Sequence, residues 1–194
     1  MKKRYYTWQD VETAADAIMN SMYADSWRPD YVVGITRGGL PLALLLSQRL
    51  GVRMETLKVK LRDLSENEDG CESNLWMAED AFGYVYQNDR DSVWGHARSN
   101  PSLKKNILIV DDINDTGATF NWLKKDWQSS CLPDNIEWTK FIWGNNVRFA
   151  VMTENLSSEF GEVNYHWHEV NKADEDVWLV YPWEKDAWLK SSME

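Results

Sequence analysis

Four aliphatic residues in a row, Ile107-Leu108-Ile109-Val110, run straight into Asp111-Asp112-Ile113-Asn114-Asp115-Thr116-Gly117-Ala118-Thr119-Phe120. The aliphatic run is too short for a helix of its own. It suits a strand covered on both faces, and therefore a parallel sheet. In an open α/β sheet ligands bind at the carboxyl edge, and here residues 115–119 bring backbone N–H groups, two hydroxyls and a flexible glycine to a helix N-terminus. Those are the parts of a phosphate cradle. The adjacent carboxylates Asp111 and Asp112 oppose a phosphate beside them unless they face a divalent cation or sugar hydroxyls. A phosphorylated sugar with a metal meets all three demands. A receiver domain also ends a strand on paired acids, but it has no use for the Thr-Gly-x-Thr that follows.

The chain has 194 residues, enough for one α/β domain with a good core and too few for two. The net charge of −10, with no clustered Lys or Arg, excludes a nucleic-acid backbone as the partner. Cys71 and Cys131 have neither metal-ligand nor redox spacing, and no long apolar run is present. These features predict a cytoplasmic protein with no membrane partner. Twelve tryptophans exceed ordinary usage and are expected in the core or a lid.

In chain order, Thr7-Trp8-Gln9-Asp10 predicts a capping box, followed by a helix whose apolar face is Val11, Ala14, Ala15, Ile18, Met19 and Met22. Residues 31–35 predict a second buried strand, which runs into Thr36-Arg37-Gly38-Gly39 and a helix over 42–50. This turn puts a cation and close-approaching backbone at the same sheet edge and suits a second anion. Residues 53–61 alternate and predict a strand towards the sheet edge. The interval 63–91 holds nine Asp or Glu against Arg90 alone, with aromatics enough around 75–77 and 82–86 for a helix turn and a strand. A helix over 117–129, a strand over 145–153 and a further strand at 138–143 complete the pattern. The tail ends in the extended run Trp178-Leu179-Val180-Tyr181-Pro182-Trp183-Glu184.

The strand, two acids, two spacers and Asp-Thr-Gly-x-Thr resemble the phosphoribosyl diphosphate (PRPP) signature of type I phosphoribosyltransferases. The tail resembles the hood of the xanthine-guanine and related 6-oxopurine enzymes, and Thr7-Trp8 and Ile35-x-Arg37-Gly38-Gly39 occur in the same order there. The resemblance implies a type I phosphoribosyltransferase fold: a mainly parallel sheet flanked by helices, in a single domain with a small hood from about residue 155 to 194. It implies transfer of the 5-phosphoribosyl group of PRPP to a purine-like base, with pyrophosphate released and Mg²⁺ required, in the manner of purine salvage. A homodimer or tetramer is expected. Under it, Asp112 and Asp111 take the metal and ribose, Asp115 is the general base, and Asp115, Thr116, Gly117, Ala118 and Thr119 hold the 5′-phosphate. Arg37 and Gly38 hold the pyrophosphate. The segment 63–104 is either a lid closing over PRPP or a structural insert or oligomer contact. The rival reading is a non-catalytic PRPP-binding regulator on the same fold.

Trp178 is either the platform on which the base stacks or a core plug; the resemblance implies the platform, with the Leu179 backbone at the base edge. In the family a lysine at the end of the strand before the hood reads the purine 6-oxo group, whereas this chain has Thr153-Glu154-Asn155. A carboxylate cannot donate to that oxygen, but the Asn155 amide can. Glu154, if it faced the site, would accept from an amino group instead, and a lysine from elsewhere, Lys140 or Lys172, is the remaining candidate.

Overall fold

The structure is a computed structural model, and it describes residues 2–59, 61, 74–85, 98–133 and 135–185. Strands β2 (Tyr31–Thr36), β3 (Arg53–Lys58), β6 (Ile107–Asn114), β7 (Val147–Asn155) and β8 (Tyr165–Val170) form a five-stranded sheet in the order β3-β2-β6-β7-β8, and all four pairings are parallel. The aliphatic run of β6 therefore lies at the centre. Side chains alternate between two cores. Val33, Ile35, Ile107, Ile109, Phe149 and Val151 face α4 (Ala118–Ser130) and α3 (Leu75–Phe82), while Val32, Leu108, Val110, Ala150 and Met152 face α1 (Trp8–Ala24) and α2 (Leu40–Leu50). A strand buried on both sides needs apolar residues at every position, which is why the central strands lack polar alternation.

The capping box at α1 forms as expected. The Thr7 N–H donates to Asp10 Oδ2 at 2.7 Å and the Asp10 N–H to Thr7 Oγ1 at 3.2 Å. Such a cap is worth about 1 kcal/mol. The buried face of that helix is Val11, Ala14, Ala15, Ile18 and Met22, with Met19 at its margin. Helix α2 ends at Gly51, whose φ of 65° closes the last turn in the left-handed region that glycine adopts without strain. Among the tryptophans, Trp127 and Trp138 are fully buried and Trp27 and Trp143 nearly so. Truncating a buried Trp such as Trp127 to Ala costs about 3–5 kcal/mol.

Residues 138–143 are not a strand. Trp138–Ile142 form a π-helical turn in which the Trp138 indole N–H donates to the Cys131 carbonyl at 2.9 Å and its ring stacks on Trp143. Aromatic packing overrides the β propensity of that stretch. Three strands escape the sequence reading: β1 (Lys2–Tyr5), β5 (Arg98–Ser99) and β8. Strand β1 pairs in parallel with β9 (Val177–Val180), with Lys3 opposite Trp178, so the hood is built from both ends of the chain. Within the acidic interval, α3 buries Met77, Ala78, Ala81 and Phe82 in the core, and β4 (Tyr84–Val85) pairs antiparallel with β5 (Arg98–Ser99). Of the expected lid over 63–104, residues 63–73 and 86–97 lie outside the described residues.

Candidate active site

Strand order reverses between β2 and β6: β3 lies on one side of β2, and the chain then returns to the other side. The carboxyl ends of strands flanking such a switch point open a crevice. Strand β6 delivers Asp111 and Asp112 there, and β2 delivers Arg37 and Gly38 through the turn before α2. Gly34 lies level with Val110, so the residues following each meet across the crevice. The approach is close: a Cβ added at Gly38 would overlap the Asp112 carboxylate, and one at Gly39 the Val110 carbonyl. The Thr36–Arg37 peptide bond is cis. Arg37 is exposed to the cleft.

The two acids stand in a strained electrostatic position. Burial against the sheet raises the Asp111 carboxyl well above the ordinary range, and the neighbouring Asp112 charge raises it further. Asp111 Oδ1 accepts the Asp112 N–H at 3.0 Å. Burial also lifts Asp112, to about 6, and the charge of Glu184 adds to it. Two hard carboxylate oxygens short of compensating charge suit Mg²⁺, which takes one or two protein carboxylates and completes its shell with water and substrate phosphates. Among the described residues no group of three or more His, Cys, Asp or Glu gathers as an all-protein cage. The donor set fits a metal that arrives with a phosphorylated substrate.

Beyond the acids the chain turns into α4 at Gly117, whose φ of 86° opens the turn. Gly117 is required there twice over, since an added Cβ would also come 2.6 Å from the Phe160 backbone nitrogen. Asn114, beneath the turn, donates to the Phe160 carbonyl at 2.8 Å and to Glu154 Oε1 at 2.9 Å, and accepts from Ser158 Oγ at 3.0 Å. These bonds fix the cradle to the loop after β7. Burial raises the Glu154 carboxyl, and its hydrogen bond to Asn114 turns it to the cradle's underside. The first turn of α4 carries no acidic residue, and Thr116 and Ala118 are exposed. The helix dipole and its N–H groups thus face a cleft of about 380 Å³ bordered by Asp111, Asp112 and residues 115–119.

The hood closes the other side. Tyr181 donates to the Asp112 carbonyl at 3.2 Å and lies 3.1 Å from Thr153 Oγ1, while its ring stacks between Tyr6 and Trp183 at centroid distances of 5.2 Å each. Trp8 touches Trp183 in turn. Trp178 is 45% exposed, so it is no core plug, and it borders both the Arg37 cleft and a smaller slot of about 190 Å³. Ile113, Leu179 and Lys172 line that slot with Asp112 and Asp115. Lys172 Nζ is 2.9 Å from Asp115 Oδ1.

The acids, cradle residues and hood residues expected from the sequence thus line three openings that share Asp112, and Leu179 lines the smallest of them with its side chain buried. Asn155 differs. Its amide donates to the Asp115 carbonyl at 2.8 Å, and its Oδ1 accepts from Ser157 Oγ and the Lys172 N–H at 2.9 and 3.0 Å. One of its two amide N–H groups is thereby committed to the backbone. Tyr181, Tyr6 and Thr153 gave no sequence signal, because their role depends on the hood folding back over β7.

The fold and the site together define a type I phosphoribosyltransferase. Comparison agrees. The chain is similar to the hypoxanthine-guanine phosphoribosyltransferase of Schizosaccharomyces pombe, 22% identical with 93% of this chain and 88% of that protein covered. It is also similar to the xanthine-guanine phosphoribosyltransferase of Cereibacter sphaeroides, at 25% with 95% and 92% covered. The crystal structure of the purine phosphoribosyltransferase from Pyrococcus horikoshii shares the fold, with a TM-score of 0.58 at 22% identity over 95% of this chain and 96% of that one. Residues 1–144 match the phosphoribosyl transferase domain, and the chain belongs to that family. It is an enzyme of the pentosyl-transferring glycosyltransferases. No helix among the described residues is long and apolar enough to cross a membrane.

Proposed function

We propose that this enzyme transfers the 5-phosphoribosyl group of PRPP to a ring nitrogen of a purine base and releases pyrophosphate. The supporting observation is the position of Asp112, which borders the cradle cleft, the Arg37 cleft and the Trp178 slot at once. A substrate bearing a 5-phosphate, a diphosphate and a reacting sugar carbon needs three such subsites around one carboxylate.

The amides and hydroxyls of residues 116–119 hold the 5′-phosphate, which fixes the ribose over β6. Arg37 and the Gly38 backbone hold the diphosphate on the opposite side of Asp112. Trp178 and Ile113 sandwich the flat base, so its nitrogen faces the sugar. The C1–O bond to pyrophosphate breaks and the C1–N bond forms; the electron pair of the broken bond leaves with pyrophosphate. Asp115 takes the proton that the base loses. Asp112 and Asp111 would hold Mg²⁺, which would supply positive charge to offset that gathering on the leaving group.

Pyrophosphate release measured across hypoxanthine, guanine, xanthine and adenine, with Mg²⁺ and with chelator, tests this. The expected result is metal-dependent turnover with at least one base. Asp115→Asn is expected to lower kcat by about 10²- to 10⁴-fold while PRPP affinity stays within a few-fold. PRPP binding with no release for any base would leave a PRPP-binding regulator as the function.

A further inference from the structure

We infer that Lys172, in the loop between β8 and β9, recognises the ring carbonyl of the base, and that Asn155 is its positioning residue. The inference rests on the phosphoribosyl-transfer reading for the identity of the ligand, and on the slot for everything else.

Lys172 is the one cation among the described residues lining the slot under Trp178; the other charged groups there are Asp112, Asp115 and Glu184. Its ammonium meets Asp115 at 2.9 Å, with the side chain largely covered. An ammonium only donates and an ionised carboxylate only accepts. Side by side in the lining of the Trp178 slot, the two match a heterocycle edge that offers an N–H beside a C=O. A 6-oxopurine presents that edge. An aminopurine turns an NH₂ donor towards the ammonium, leaving two donors face to face and one group unsatisfied.

Asn155 explains why this lysine is in place. Its Oδ1 accepts the Lys172 backbone N–H, and its Nδ2 donates to the Asp115 carbonyl. One side chain therefore fixes the backbone of both members of the pair. Glu154 is buried beneath the cradle, with Oε1 accepting from Asn114. Carbonyl recognition thus comes from the β8–β9 loop and not from the end of β7.

The test is the affinity of the wild type, Lys172→Gln and Lys172→Arg for inosine and adenosine 5′-monophosphates, measured by calorimetry, with circular dichroism to verify folding. Equilibrium binding of nucleotide needs no turnover, so the result is independent of whether pyrophosphate is ever released; absence of release across the base panel overturns the phosphoribosyl-transfer reading alone. The wild type is expected to prefer the 6-oxo nucleotide. Lys172→Gln is expected to reduce the oxo-over-amino ratio by about 10- to 100-fold, the range for losing a charged hydrogen bond, and Lys172→Arg to retain most of it. A lysine that merely orients Asp115 would weaken both nucleotides alike. An unchanged ratio in Lys172→Gln, or a wild type without oxo preference, overturns the inference.

Discussion

Asp112→Asn separates what the acid does for the fold from what it does for the ligand, because the two respond to pH in opposite directions. In the folded chain the carboxyl is lifted from its ordinary 3.8 to about 6, by burial first and by Glu184 second. Folded protein therefore keeps a proton that the unfolded chain releases between those values. The associated stability is fully present below the unfolded value and is lost as pH rises through about 6. A lift of this size corresponds to about 3 kcal/mol at 1.36 kcal/mol per unit, reduced to about 1–2 kcal/mol because the carboxylate opens on a solvated cleft. Metal-free Asp112→Asn, which cannot ionise there, is expected to melt about 2–8 °C above the wild type at pH 7.5, with the gap closing near pH 4. Binding of Mg²⁺–PRPP requires the ionised acid. A group titrating near 6 is about nine-tenths ionised at pH 7 and about one-tenth at pH 5, so affinity falls about tenfold from this group alone. The phosphates of PRPP titrate in the same range, and the Asn variant supplies their separate contribution. Differential scanning calorimetry and titration calorimetry over pH 5–8 give both curves. A variant that melts no higher at pH 7.5, or binds Mg²⁺–PRPP with wild-type affinity and pH slope, would refute the reasoning.

Trp178→Ala is expected to raise KM for the base far more than for PRPP, since stacking on an aromatic is worth about 1–3 kcal/mol, and to leave the melting temperature nearly unchanged because the ring is 45% exposed. Steady-state kinetics and a melting curve decide it. Gly38→Ala places a methyl group against the Asp112 carboxylate and is expected to raise KM for PRPP about tenfold or more; an unchanged KM would show that the turn after β2 does not form the diphosphate subsite.

The sheet was legible wherever burial on both faces imposed continuous aliphatic runs, as at 31–35 and 107–110, and the cradle was legible because Asp-Thr-Gly-x-Thr joins a backbone requirement at Gly117 to hydroxyl donors. Boundaries moved by a residue or two, as at β7, predicted over 145–153 and observed at Val147–Asn155. Illegible parts depend on distant residues. Lys2–Tyr5 is polar and becomes a strand only because Val177–Val180 lies beside it. The stretch 138–143 has the composition of a strand but is held as a π-helical turn by Cys131, Phe82 and Trp143. Asn155 had the right chemistry for base recognition, but the side chain is buried, with one amide N–H bound to the Asp115 carbonyl and Oδ1 shared between Ser157 and the Lys172 backbone.

The pairing of β1 with β9 sets an order of assembly during synthesis. Every residue of the phosphate cradle and of the β2 turn has been made once α4 is complete, but β1 has no partner until Val177–Val180 emerges. Closing so long a loop carries an entropic cost that local turns do not. On the ribosome, a nascent chain therefore carries the residues of the anion cradle before it carries those of the base platform. Truncations that end before residue 177 are expected to capture PRPP while lacking the stacking surface that Trp178 provides.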